Sequence, residues 1–192
     1  MAESRLIKKI YDEKLDWDLS DTTLRIKKRK AVRVVLLDDK GRIGLIHARN
    51  GNYHKLAGGG IEEGETQEEA VFREVIEETG FESEVIYQIG HTIEYYYTPQ
   101  KYREKFDGMV GYSYCWVARA TKYVGANLME DEASDGFELI WANSTDEAIG
   151  LFRDAPFTGT KHSEYDFVKM IEERDRIILE AYKSKEDDGK RQ

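Results

Sequence analysis

Cysteine is nearly absent from this chain: Cys115 is the only one in 192 residues. A lone cysteine excludes an intrachain disulfide and points to a reducing compartment, which makes the cytoplasm the expected location. It sits in the apolar segment Tyr112–Val117 and reads as a small buried hydrophobe rather than a reactive thiol. No apolar run comes near the ~20 residues needed to span a bilayer. The opening, MAESRLIKK, lacks the apolar centre of a signal peptide, so no membrane partner is expected. Positive charge is in deficit too: 29 Lys and Arg stand against 38 Asp and Glu, a net charge of −9. That balance argues against binding duplex nucleic acid. An acidic protein can still act on phosphates where metal ions neutralise the site.

What remains is a soluble globular composition, 40% hydrophobic and 35% charged, in a chain long enough for one domain with its own core. Residues 1–29 are charged and ambiguous, and read as an N-terminal extension packing on the domain. Within them Leu6–Tyr11 alternates weakly, as a strand or a short helix. Thr23–Lys30 is too basic to be central in a sheet. From Ala31 the pattern clears into strands at Ala31–Leu37, Arg42–Ala48 and Tyr53–Ala57, separated by turns at Asp38–Gly41 and Arg49–Asn52. Ser83–Tyr97 and Gly108–Ala120 are β-rich, with the polar loop Thr98–Asp107, which holds Pro99, between them. Asn127–Gly136 is acidic and reads as a loop. Phe137–Ala142 is a strand, and Asn143 or Ser144 caps a short helix through Phe152. The connector Asp154–His162, with Pro156 and Gly159, leads to a last helix capped by Ser163 and running to about Lys185. The domain is thus 30–185, followed by a frayed tail, 186–192. No internal repeat or linker divides it.

The informative stretch is Gly59–Phe81, GGIEEGETQEEAVFREVIEETGF. Thr66 and Glu69 form a capping box, and Gly80 is a C-terminal stop, so Thr66–Thr79 reads as a helix. At about 100° per residue, Phe72, Val75, Ile76 and Thr79 share one side, and Glu74, Glu77 and Glu78 share the other. Like charges at i, i+3 and i+4 weaken a helix, so their presence calls for a cation. An all-oxygen set favours Mg²⁺ or Mn²⁺ over zinc or copper. For Glu68, Glu69, Glu172 and Glu173 the plain reading, a solvated helix face, suffices.

This stretch resembles the signature of the Nudix hydrolases: Gly, five residues, Glu, seven residues, Arg-Glu, an aliphatic, any residue, Glu-Glu, any residue, Gly, an aliphatic. Gly59, Glu65, Arg73, Glu74, Val75, Glu77, Glu78 and Gly80 all fall in place. Phe81 is aromatic where an aliphatic is usual, and Ala57 stands where these enzymes often have proline. The resemblance implies an α/β fold, an α/β/α sandwich around a mixed sheet. It also implies hydrolysis of a nucleoside diphosphate linked to another moiety, with a homodimer as a common assembly. Glu74, Glu77 and Glu78, with a backbone carbonyl at Gly59, become the expected metal ligands. Glu74 or Glu78 is the expected base, or else an acid in Glu130–Glu138. Arg73 is a supporting residue that pairs with Glu77 or holds another carboxylate of the motif, and Glu65 orients the turn or supports the metal ligands from behind, on the substrate-binding side with Tyr53 and Lys55. Upstream, Tyr53 and His54 lie where a base or ribose could stack, although His54 reads better as polar surface. Lys55 and Arg103 could contact phosphate. Tyr95, Tyr96 and Tyr97 alternate on a strand and read as packing. The substrate favoured is a free nucleotide, such as a nucleoside triphosphate cleaved to monophosphate and diphosphate, with ADP-ribose or a dinucleotide as alternatives. A catalytically silent nucleotide sensor would have lost carboxylates that this chain keeps. A prenyl diphosphate isomerase would need a catalytic cysteine that Cys115 does not suit.

Overall fold

The computed structural model describes residues 4–11, 21–97, 104–154 and 165–190. At its centre runs a long strand, β2 (Ile26–Leu37), whose side chains alternate between two faces as the pleat requires. Val32, Val34 and Leu36 turn into a cluster with Ala70, Val71 and Val75 of the helix α1 (Gln67–Thr79). Val35 turns the other way, to Ile178, Leu179 and Tyr182 of the long helix α4 (Tyr165–Lys190). A strand covered on both faces needs apolar side chains at successive positions, which explains the unbroken run from Val34 to Leu37.

Among the described residues the sheet has seven strands. Its order is β1 (Leu6–Tyr11), β5 (Phe81–Tyr97), β6 (Gly108–Tyr123), β2, β3 (Ile43–Ala48) and β4 (Tyr53–Lys55), with β7 (Phe137–Ala142) also paired to β3. The β1–β5 and β2–β6 pairs are parallel, and the rest are antiparallel. Helix α1 covers one face. On the other, α4 and α3 (Thr145–Asp154) pack through Ala148, Ile149 and Phe152. The result is the expected α/β/α sandwich on a mixed sheet. Cys115 is fully buried within it, as a small hydrophobe would be. Tyr96 is buried, and Tyr95 stacks on Tyr11 at 4.7 Å. No helix among the described residues is long and apolar enough to cross a membrane.

Several boundaries differ from those expected, each for a physical reason. Leu6–Tyr11 is a strand because β5 supplies a parallel partner for it. The central strand begins at Ile26, inside the segment expected to be too basic to be central in a sheet. Lys28 and Lys30 are exposed there, so pairing with β6 costs them no solvation. The acidic stretch before β7 contains a short helix, α2 (Glu130–Asp135), closed by Gly136 in the left-handed region at φ 70°. Ser144 does cap α3, its Oγ accepting the Glu147 N–H at 3.1 Å. Helix α4 continues past Lys185 to Lys190. Pro99, Lys101, Arg103, Pro156, Gly159, Ser163 and Gln192 lie outside the described residues.

Candidate active site

The site begins with a glycine turn laced to β2. Val32 N–H donates to the Gly59 carbonyl at 3.0 Å and Val34 N–H to the Ala57 carbonyl at 2.9 Å. Gly58 has φ 134°, and a Cβ there would strike the Val32 carbonyl, so the close approach needs glycine. A Cβ on Gly59 would strike the carboxylate of Glu74. Backbone and carboxylate are therefore in contact across the turn.

Helix α1 delivers the carboxylates. Its start is the expected capping box: Glu69 N–H donates to Thr66 Oγ1 at 3.2 Å, and Thr66 N–H to Glu69 Oε2 at 2.8 Å. Its end is Gly80 at φ 77°, whose N–H donates to the Ile76 carbonyl at 2.9 Å. The rotation of the helix, however, is not the one read from the sequence. Ala70, Val71, Val75 and Thr79 are buried together with Glu74 (6% exposed) and Glu78 (3%), while Phe72 is 38% exposed. The helix presses its smaller ridge against the sheet, and this turns Glu74 and Glu78 towards the glycine turn instead of to open solvent. Glu77 stays at the rim, half-buried. The three carboxylates thus occupy two environments, not one solvent-facing row.

Two cations hold them. Arg73 Nη1 donates to Glu74 Oε1 at 2.8 Å and to Glu77 Oε2 at 3.0 Å, while Nε and Nη2 grip Glu65 at 2.8 and 2.9 Å. Nη2 also donates to the Gly60 carbonyl at 2.8 Å, so every N–H side of the fork is engaged. The hydrogen bonds from Arg73 keep the Glu65 carboxyl below the ordinary range, and Glu65 in turn accepts the Glu62 N–H at 2.9 Å. Glu78 receives Lys55 Nζ at 2.5 Å and the Gly58 N–H at 2.9 Å. Lys55 also lies 4.7 Å from the centre of the Phe137 ring. Burial pushes the Glu74 carboxyl upward and the charge of Glu78 adds to it, against the pull of Arg73 and Arg33.

This donor set suits a hard dication. Two buried carboxylates one helical turn apart repel each other, and their oxygens lie against the glycine turn, Glu74 beside Gly59 and Glu78 on the Gly58 N–H. Among the described residues, no three His, Cys, Asp or Glu side chains are gathered closely enough to cage an ion as they stand. Arg73 and Lys55 take that place. The Gly59 carbonyl accepts from Val32, and a carbonyl's second lone pair is still available to a ligand.

Strand β4 carries the other residues singled out from the sequence. Tyr53 is half-buried, and burial raises its phenol, with added pressure from Asp135 and Glu78. His54 is not polar surface. It is buried, stacked under His47 at 4.7 Å and 15°, and pushed down to about 4 by burial and by His47. Sequence reasoning missed His47, whose Nδ1 lies 3.1 Å from Glu138 Oε1; it named Glu132, whose carboxyl burial raises close to Glu78 and Lys55, and Glu138 only as members of a window. Both acids fall within the Glu130–Glu138 window. It also missed Asp175, fully buried on α4, whose Oδ2 accepts the Leu56 N–H at 2.8 Å. The His47 contacts cross strands β3, β4 and β7, and no local sequence signal reveals that register.

The sequence model of the NUDIX domain matches residues 27–157. Among solved structures, the solution structure of the E. coli ORF135 protein is similar at 20% identity and a TM-score of 0.51, over 83% of this chain and 91% of that one. A NUDIX hydrolase from Nitrosomonas europaea is similar at 18% identity and a TM-score of 0.51, over 82% of this chain and 90% of that one. At such identities the likeness is one of fold. No curated protein matches the sequence.

Proposed function

Because this chain belongs to the Nudix family, matched over residues 27–157, and is thereby a pyrophosphohydrolase of nucleoside diphosphate derivatives, we propose that its reaction is centred on Glu74, Glu77 and Glu78 and depends on Mg²⁺ or Mn²⁺. The observation that carries this reading is the buried Glu74–Glu78 pair set against the Gly58–Gly60 turn. Burial and the charge of Glu78 press on the Glu74 carboxyl even with Arg73 and Lys55 in place, a repulsion that a dication between the two acids would relieve. When bound, the dication offsets charge on phosphoryl oxygens and makes water easier to deprotonate.

The chain's own residues do the rest. Arg73, tied to Glu65 and the Gly60 carbonyl, fixes where Glu74 and Glu77 point. Glu78 takes the proton from the attacking water, and the Gly58 N–H holds its carboxylate in place. Lys55 shares Glu78 in the resting protein and turns to a phosphate oxygen once substrate arrives. Tyr53, on the same strand, lines the nucleoside side.

The substrate we propose is a free nucleotide, a nucleoside triphosphate cleaved to monophosphate and diphosphate, with ADP-ribose or a dinucleotide as the second reading. The working unit is the domain from residue 30 through α4, with β1 as an added edge strand, and its single buried thiol suits a reducing cytoplasm. A screen of purified protein against nucleoside triphosphates, nucleotide sugars and dinucleotides, with products identified, tests the substrate. EDTA is expected to abolish turnover and added Mg²⁺ to restore it. Hydrolysis that continues at full rate in excess EDTA would refute the metal-dependent site.

A further inference from the structure

Strands β2 and β3 pair where Leu36 and Leu37 meet Gly44 and Ile43, and then part. Residues 53–60 run between them. Tyr53–Lys55 pair with β3, whereas the Ala57 and Gly59 carbonyls accept from Val34 and Val32 of β2. Leu56 is the changeover between these two grips, and α4 holds it there. Asp175 Oδ2 accepts the Leu56 N–H at 2.8 Å. About one helical turn earlier on α4, the Glu172 carboxyl accepts the N–H of His54. The Leu56 side chain is fully buried in one cluster with Ile178 and Leu179 of the same helix.

Asp175 cannot swing away from this amide. It is fully buried, and its second oxygen, Oδ1, takes the Nε–H of Arg174 at 2.7 Å. A buried ion pair is often no more stabilising than apolar side chains of the same volume, so stability alone does not account for one here. What the pair supplies is direction: a charged acceptor with both oxygens engaged sets the position of one N–H. The site hangs on that position. Lys55 stands between the two amides that α4 holds, and its Nζ reaches Glu78 Oε1 at 2.5 Å. Two residues beyond Leu56, the Gly58 N–H reaches Glu78 Oε2 at 2.9 Å. The donors to both oxygens of Glu78 therefore ride on the segment that α4 clamps.

We propose, resting on the pyrophosphohydrolase reading and on Glu78 as its proton acceptor, that Asp175 and Glu172 are positioning residues for hydrolysis. Through the backbone of residues 54–58 they set where Lys55 and the Gly58 N–H hold Glu78. Turnover then depends on two acids of α4 that act on Glu78 through the chain between them and make no contact with the reacting atoms. A small displacement is enough, since a shift of about 1 Å at a reacting group can cost about 10²-fold in rate.

The test is steady-state kinetics on the full chain with Mg²⁺ and the best substrate of the screen, at a temperature where circular dichroism shows every variant folded. Asp175→Ala is expected to lower kcat by about 10²-fold and to change KM far less. The loss should vanish once Glu78 is gone: Asp175→Ala added to Glu78→Gln is expected to leave kcat at the level of Glu78→Gln alone. Leu179→Ala, which loosens the same helix in the same core but leaves the Leu56 N–H bonded, should keep the wild-type kcat. A merely structural role would instead lower kcat by the same factor with and without Glu78, and would show equally in Leu179→Ala. Either result overturns the proposal. Should Asp175→Ala not fold, Glu172→Ala decides on the same cycle: a loss of kcat present with Glu78 and absent without it supports the positioning role, and an equal loss, or none, removes it. An impaired Glu78→Gln beside an undiminished Asp175→Ala overturns the positioning role alone, whereas full turnover in Glu78→Gln overturns the role of Glu78 in hydrolysis along with it.

Discussion

Each acidic side chain of the site is defined by the cation it faces. Glu78 faces Lys55 and a backbone N–H, and sits where it can accept a proton. Replacing it with glutamine keeps its shape and hydrogen-bond reach but removes the charge. We expect Glu78→Gln to lower kcat by about 10²–10⁴-fold, read by steady-state assay, while its circular dichroism stays that of the wild type. Undiminished turnover would clear Glu78 of any role. His54 and Glu172 give the fold opposite responses to acid. An unfolded histidine takes up its proton near 6.5, whereas His54 does so at about 4. Between those values the unfolded chain binds more protons, so the stability that neutral His54 supplies is complete above 6.5 and is lost as pH falls towards 4. Glu172 lies against the His54 backbone, and burial pushes its carboxyl up to about 7. Its folded form holds the proton longer than the unfolded chain does, so it withdraws stability as pH rises from the usual carboxylate range to about 7. Urea midpoints measured across this range are therefore expected to fall less steeply on acidification in His54→Phe than in the wild type, and more steeply in Glu172→Gln. The His54 contribution is of order 2 kcal/mol. Parallel profiles for all three proteins would contradict both assignments.

Among the elements, α1 shows what a sequence gives up readily and what it keeps back. Both its ends are local events: Thr66 and Glu69 close the first turn, and Gly80 adopts the one conformation that stops the last. These were legible because capping is written within four residues. Thr66→Ala should accordingly cost about 1 kcal/mol, seen as a drop of about 2–4 °C in the thermal midpoint. The rotation of the helix was not legible. The stripe Phe72, Val75, Ile76 and Thr79 is the more hydrophobic, yet the sheet comes close enough to admit only Ala70 and Val71 beside Val75, and Phe72 is left at the margin. Close packing outranked hydrophobicity there. Strand β1 was ambiguous for another reason: its pattern becomes meaningful only beside β5, some eighty residues away. Of the motif residues, Glu74, Glu77 and Glu78 were readable from helical spacing, and Glu65 and Arg73 because the stretch resembles the Nudix signature. The partners from other elements, His47 on β3, Glu138 on β7 and Asp175 on α4, depend on register and on long-range packing, which no window of sequence contains.

For the molecule as a whole, the match to the NUDIX domain stops at residue 157, but the structure does not. Ile178, Leu179 and Tyr182 of α4 share the principal core with Val35, Leu45 and Leu56, and Asp175 satisfies a backbone N–H that would otherwise be stranded in it. A chain cut after residue 157 is expected to show no cooperative unfolding transition by circular dichroism or calorimetry, whereas one lacking residues 1–11 should melt cooperatively at a lower temperature. A cooperative transition in the first of these would mean that α4 is dispensable. The bond from Leu56 to Asp175 spans 119 positions. At ordinary rates of translation the ribosome needs roughly 6–24 s to bridge that interval. For most of it the nascent polypeptide carries the whole acidic helix, while the Leu56 N–H lacks the carboxylate to which it donates in the folded protein. Copies that lack the last helix are expected to leave the core open, so a message that terminates before it should yield a product for the proteases rather than a slow enzyme.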